Sequence, residues 1–364
     1  MKKGDGEVEL DSLDVIWQQY ELDQIAQGMQ ELFPERGFSL EDLIATVMSG
    51  NIWGAMKLLL FGNITNFGAQ LMNMKNVFLW ILVIGILATL MTDFVEVFDR
   101  NQVADLSFYL FYLLLTEVLL KNFYFIEKVA IAAMENMVLF HKLLIPTYLL
   151  AVGAATGITT VNAYSQLLIL IIYGVEQILI KSIVPMIYGY FLLAVLGGIW
   201  MEEKLTLLME VLEKIIGWML KGAIGIVTGV SIFQSIITPV VDSVKTTALQ
   251  KVITMVPGAG NVADGVLELL AGSAIMIKNS VGIVLLLLLI ALCAEPMIQI
   301  FMTAALLKIS AALMGLVADK KLTACVSQAG NAGMLMLRTT GCALLLFLIS
   351  LAVAAASLGN ITIG

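Results

Sequence analysis

Between Lys142 and Glu176 the chain runs through residues 143–175, 33 positions, without one charged side chain, and shorter uncharged runs recur on either side. A helix needs about 20 predominantly apolar residues to cross a bilayer. A soluble core, however large, has no need of repeated uncharged stretches of that length, so the solvent for most of this chain is lipid. Composition agrees: 60% of the side chains are apolar and 13% charged, with mean hydropathy +0.96, against roughly one quarter charged in soluble domains.

The uncharged runs set the organisation. Val77 to Met91 reads as a first crossing and Leu106 to Leu120, interrupted by Glu117, as a second. Residues 143–175 hold part of a third helix, a turn at Gly153 to Gly157 and the start of a fourth. Ile183 to Ile199, Gly222 to Ile237, Val281 to Met302 (interrupted by Glu295) and Thr339 to Ala355 follow. The expectation is an all-α polytopic transmembrane bundle of about seven spans, six to eight being compatible because Pro185, Pro239 and Pro296 can break helices. Stretches 123–142 and 204–220 read as interfacial helices. Residues 1–75 read as an acidic, amphipathic helical segment outside the lipid, 76–241 as a first group of spans, 242–280 as an interfacial or re-entrant amphipathic segment, and 281–364 as the C-terminal spans.

Net charge is confined to one end. Residues 1–50 carry eleven carboxylates against Lys2, Lys3 and Arg36, which accounts for the whole net charge of -8, and the remaining chain balances. No polybasic stripe exists for nucleic acid or anionic lipid. Within the acidic segment Leu22, Ile25, Met29 and Leu32 recur at helical spacing, and a further helix is expected from Ser39 as N-cap through Leu43, Val47, Trp53 and Leu60. Its acidic face suits either a solvated cap or a partner-docking surface. Lys320, Lys321 and Arg338 form the most basic flank, which the positive-inside rule assigns to the cytoplasm, with Gly364 outside. No apolar stretch follows Lys2 and Lys3 closely enough to read as a signal peptide.

Ionisable side chains inside spans are costly, so each needs a partner or a wet cavity. Glu117 and Lys121, one turn apart, are placed to pair; Glu176, Glu295 and Lys308 are the other intramembrane candidates, and Glu295 precedes Pro296, which can open the helix beside it. They suit either a proton or solute pathway or interhelical salt bridges, and their wide separation favours the second. Catalytic and cofactor templates fail. His141 is the single histidine, Cys293, Cys325 and Cys342 are too dispersed for a metal or redox motif, and no Walker A sequence is present. Gly258, Gly260 and Ala263 fit a dinucleotide pattern, but in a membrane setting without a βαβ unit. No enzyme activity and no cofactor are expected.

Two packing signals remain. Gly153 with Gly157 and Gly225 with Gly229 have the spacing that lets membrane helices approach. An internal echo pairs Pro185, Met186 and Ile187 with Pro296, Met297 and Ile298; Lys204, Leu205 and Thr206 with Lys321, Leu322 and Thr323; and Met219, Leu220 and Lys221 with Met336, Leu337 and Arg338. It reads either as a repeat or as coincidence in leucine-rich sequence.

In residues 242–280, Val262, Val266, Leu269 and Leu270 make an amphipathic helix opposite Asp264 and Glu268, with Gly258 and Gly260 allowing a bend before it. Val256, Pro257 and Gly258, then Asp264, Gly272 to Ala274, Lys278, Asn279, Val281 and Gly282, then Glu295 with Pro296 and Leu307 to Ala312, resemble the signature region of stage III sporulation protein AE. The resemblance is best over about 240–355. It implies a multi-pass subunit of the mother-cell membrane around the forespore. Its partners would be stage III sporulation proteins AA to AH and stage II sporulation protein Q, in a transenvelope channel or feeding apparatus powered by a partner ATPase. On that reading Pro257, Gly258, Gly260, Asp264, Lys278, Asn279 and Gly282 are candidate pore or assembly residues. A homo-oligomer is also compatible. The competing function is a secondary transporter coupling through Glu117, Glu176 or Glu295.

Overall fold

The computed structural model describes residues 40–61, 64–96, 101–156, 170–171, 173–197, 205–229 and 260–357, and its elements among these are helical throughout. The first two, α1 (Leu40–Met48) and α2 (Ile52–Phe61), divide what the sequence reads as one helix. The division is local chemistry. Gly50 takes φ +79°, the left-handed conformation that glycine adopts without a Cβ penalty. The Asn51 N–H then reaches the Thr46 carbonyl and the Gly50 N–H the Val47 carbonyl, closing α1. The Asn51 side chain accepts from the Gly54 N–H at 2.9 Å and caps α2. Leu43, Val47, Ala55 and Leu59 are buried, and both helices pack on α7.

Six long helices follow: α3 (Ile64–Glu96), α4 (Asn101–Thr156), α5 (Tyr173–Gly197), α6 (205–229), α7 (Gly260–Met314) and α8 (Lys320–Ser357). Five of them contain segments long and apolar enough to cross a membrane: Lys75–Val95, Asp105–Leu144, Tyr173–Gly197, Val281–Met314 and Lys320–Leu351. Helix α6 carries Glu210, Glu213, Lys214 and Lys221 and is not among the five. Of the expected seven spans, the described residues thus hold five of membrane length.

Several expected boundaries disappear. The second crossing and the interfacial stretch 123–142 are one 56-residue helix, because Glu117, Lys121, Glu127 and Lys128 are good helix formers that turn outward without interrupting the backbone. Pro296 lies inside α7, which continues through it. At Pro185 the chain widens instead of breaking: Leu179–Ile183 form a π turn, in which the Val184 N–H reaches the Leu179 carbonyl, just before the ring. A proline ring clashes with the carbonyl four residues back, and a π turn moves that carbonyl aside. Lys320, Lys321 and Arg338 are not one flank either. They share α8, with Arg338 18 residues after Lys320, about 27 Å along it, so they give no common mark of sidedness.

Contacts fix the directions. Tyr112 meets Val195 and Phe123 stacks on Phe191 at 4.2 Å, so α5 runs against α4. Ile126 lies beside Gly333 and His141 beside Phe347, so α8 runs with α4. Glu213 meets Arg338 and Leu220 meets Cys342, so α6 also runs with α8. Helices α7 and α8 form an antiparallel hairpin, closed at Asp319, whose carboxylate accepts from the Lys321 N–H at 2.7 Å. From α3 to α8 the helices alternate, and the start of α3 and the end of α8 lie at one end of the bundle. The echo falls on equivalent parts of two consecutive hairpins, α5–α6 and α7–α8, running the same way, as a parallel repeat requires.

Close approach of α7 and α8 rests on glycines other than those expected. A Cβ at Gly333 would stand 2.8 Å from the Ala304 Cβ and 3.1 Å from Ile126, and one at Gly330 would stand 3.0 Å from the Lys308 stem. At Gly225 and Gly229, by contrast, nothing among the described residues lies within 4 Å, so their spacing brings no described helix close. Gly157 is outside the described residues. Gly333→Leu should therefore destabilise the protein by about 1–3 kcal/mol, read as a lowered thermal midpoint in mild detergent, while Gly225→Leu leaves the midpoint within a degree or two. Equal effects would refute the assignment of the packing seam.

Candidate functional site

The two echoing hairpins meet along a line of polar side chains to which all four of their helices contribute. From α5 the Tyr190 hydroxyl donates to Gln328 Oε1 at 2.7 Å, and the Asn331 amide donates to the same oxygen at 2.8 Å. From α7 the Lys308 ammonium donates to Ser327 Oγ at 3.3 Å. From α6 Glu213 pairs with Arg338 at 3.6 Å and is close enough to Lys308 and Tyr190 to act on both electrostatically. Helix α8 can hold these groups on one seam because Asn331 follows Ser327 by four residues and Gln328 by three, and Arg338 follows Asn331 by seven, two turns on, beside the small residues that bring α7 close. A cavity of about 140 Å³ between Gly197, Thr206, Lys321 and Gln328 reaches the seam from the end of the α7–α8 hairpin.

The sequence candidates scatter around this seam. Only Lys308 belongs to it. Glu117 pairs with Lys121 at 2.6 Å as its spacing suggests, and both line a larger pocket between α3, α4 and α7. Glu295 accepts from the Gln299 amide at 3.2 Å, and Gln299 lines that same pocket. Glu176 pairs across to Lys142 on α4 at 3.5 Å. His141 is fully buried between α4 and α8: Nδ1 lies 3.0 Å from the Met137 carbonyl, and Nε2 lies 3.1 Å from both the Phe347 carbonyl and Ser350. Cys293, Cys325 and Cys342 are buried and free. Among the described residues no three His, Cys, Asp or Glu side chains gather to hold a metal.

Pro257 and Gly258 lie outside the described residues. Gly260, Asp264, Lys278 and Asn279 fall on the first turns of α7, continuous with its span, and their side-chain surroundings lie outside the description; Gly282 is buried. Tyr190, Ser327, Gln328 and Asn331 went unnoticed in the sequence because neutral polar residues carry no charge to interrupt an apolar run, and Glu213 because it falls in the stretch 204–220 read as interfacial. The echo was the signal that could have led to them, since sites in repeat-built membrane proteins lie where the repeats meet.

Residues 38–357 match the stage III sporulation protein AE family. The chain is 26% identical over 268 residues to stage III sporulation protein AE of Bacillus subtilis (strain 168), an alignment covering 73% of this chain and 66% of that protein. The chain thus spans just under two thirds of the relative's length. No solved structure matches it.

Because Gln328 Oε1 accepts two hydrogen bonds, Gln328→Leu leaves two donors without a partner and should cost about 1–3 kcal/mol. Tyr190→Phe removes one interhelical bond and should cost about 0.6 kcal/mol. Unfolding in detergent measures both, and a double-mutant cycle with no coupling between the two positions would show that the shared acceptor does not join α5 to α8.

Proposed function

The chain belongs to the stage III sporulation protein AE family, and from that membership we propose that it is an integral membrane subunit of the channel joining mother cell and forespore. In this reading it is structural or conduit-forming and does no catalysis. It sits in the mother-cell membrane around the forespore, with six to eight passages, and assembles with stage III sporulation proteins AA to AH and, across the gap, with stage II sporulation protein Q. A partner ATPase supplies the energy. The observation that carries the proposal is the extent of the family match, which takes in every long helix of the bundle.

The seam adds support for a conduit-forming part. Polar side chains within membrane-length helices face cavities or one another, and here two like-oriented hairpins enclose such a line. A transporter coupled through Glu117, Glu176 or Glu295 is less well supported. Each carboxylate is held by its own partner, Lys121, Lys142 and Gln299 respectively, and no shared ion-binding cluster forms among the described residues.

Affinity purification of the tagged protein from sporulating-cell membranes in mild detergent, with mass spectrometry of what stays bound, tests the proposal. Co-recovery of the other stage III sporulation proteins is the expected result. A homo-oligomer without them would overturn the channel reading and turn attention to transport assays on the three carboxylates.

A further inference from the structure

On α4 the side chains that turn away from the bundle form one stripe. Leu106, Leu110, Leu113, Glu117, Leu120 and Tyr124 are all exposed and follow one another at alternating steps of four and three residues. That alternation is the heptad spacing of a coiled-coil seam, with Leu106, Leu113 and Leu120 along one edge and Leu110, Glu117 and Tyr124 along the other. Lys121 lies beside the seam, 2.6 Å from Glu117. No single solvent suits this stripe. Where lipid meets it, the ammonium and the carboxylate stand with side chains 74% and 60% exposed in a medium where ionisable groups are costly. Where water meets it, the leucines and Tyr124 stand exposed as one apolar patch. Nor does the pair mark a boundary between the two media, since Leu113 lies one turn to one side of Glu117 and Leu120 and Tyr124 lie to the other. A second protein surface can meet apolar side chains and paired charges together.

We propose that this stripe is an interface with a second copy of the chain, the two α4 helices packing in parallel about a two-fold axis along the membrane normal. Copies inserted the same way up are related by such an axis, which sets each α4 beside its counterpart with equal residues at equal depth. The charges decide between a copy and a foreign partner. Because the Glu117 carboxylate and the Lys121 ammonium lie 2.6 Å apart, they stand at nearly one depth, and the rotation that turns one copy to face the other reverses their order across the contact. Each carboxylate then meets the other copy's ammonium. An ammonium has three protons, of which Glu117 takes one, and a carboxylate accepts several hydrogen bonds, so the four groups close a ring of alternating charge. A foreign helix would have to bring its own matched pair at the same depth; a second copy brings it by symmetry. Leu113 and Leu120 pack on either side of the ring, and one polar layer within an apolar seam fixes its register. The inference does not rest on the channel reading, since a channel subunit and a transporter could both pair in this way.

Cysteine cross-linking of the full chain, in the membranes of a host without other sporulation proteins, tests the proposal. The chain's own Cys293, Cys325 and Cys342 are buried and do not compete. Leu113→Cys and Leu120→Cys, at positions that come within disulfide range of their copies in a parallel pair, should on mild oxidation give an adduct of twice the chain's mass. Its yield should be about five times that of Leu87→Cys on α3 and Ile309→Cys on α7, which are exposed away from the stripe. Glu117→Lys or Lys121→Glu, added to Leu113→Cys, gives the patch a single sign and should lower the adduct to the level of those controls. Two differently tagged copies, one with each reversal, should cross-link to each other again. Both reversals alter exposed groups, and an unchanged thermal midpoint in detergent verifies each fold. Equal yields at the four positions, adducts of another mass, which would mean a foreign partner, a yield that survives both reversals, or reversed copies that fail to restore the adduct together overturns the proposal.

Discussion

The bundle depends on how closely α8 lies against α7. In lipid the apolar surfaces of two helices gain nothing from being hidden from water, so association rests on close packing and on interhelical hydrogen bonds. Gly330 and Gly333 allow that closeness, at Lys308 and at Ala304, and Ile126 of α4 comes to the same glycine. Three helices thus meet where no side chain fits. The others are positioned from that point: α5 docks through Tyr190 on Gln328, α6 through the contact of the Cys342 thiol with the Leu220 carbonyl, and the far half of α4 through His141 on Phe347.

Polar groups elsewhere are handled differently. Thr89, Thr92, Thr303, Ser310, Thr339 and Thr340 each donate to a carbonyl four residues back on their own helix, which satisfies the hydroxyl without asking anything of a neighbour. The seam departs from that rule, as do Tyr112 on the Val195 carbonyl and His141 on Phe347 and Ser350. Its bonds run between helices or share an acceptor. A seam of this kind serves the fold less cheaply than leucine would, and for that reason it marks where the bundle does something besides hold together.

Much of the architecture was legible because lipid imposes a length on apolar runs. Val77 to Met91 and Val281 to Met302 lie inside observed helices, and the pairing of Glu117 with Lys121 followed from spacing alone. What hydropathy misreads is where helices end. It treats a charge as a boundary, yet α4 passes Glu127 and Lys128, α7 passes Pro296, and α8 passes Arg338, because a helix backbone is satisfied internally whatever its side chains face. Packing glycines were equally hard to choose. Spacing nominated Gly225 and Gly229, whereas the glycines in contact, Gly330 and Gly333, are three apart and differ from them only in having a neighbour. The site was legible only in outline, through Lys308 and the echo.

The length of the helices bears on what the bundle is for. At 1.5 Å per residue the 56 residues of α4 extend about 84 Å, and a hydrocarbon layer of roughly 30 Å crossed at a 40° tilt takes up only about 39 Å of helix. More than half of α4 therefore lies beyond the hydrocarbon. Charges do not divide it into two halves: the runs 106–116 and 143–156 have none, and Glu117, Lys121, Glu127, Lys128, Glu135 and Lys142 lie between them. Along that charged stretch α4 keeps a buried face, with Ala130, Met134, Met137 and Phe140 inside the core. A helix this long thus keeps the bundle packed along its charged stretch as well as along its apolar runs, because one face stays apolar while the charges turn to the other.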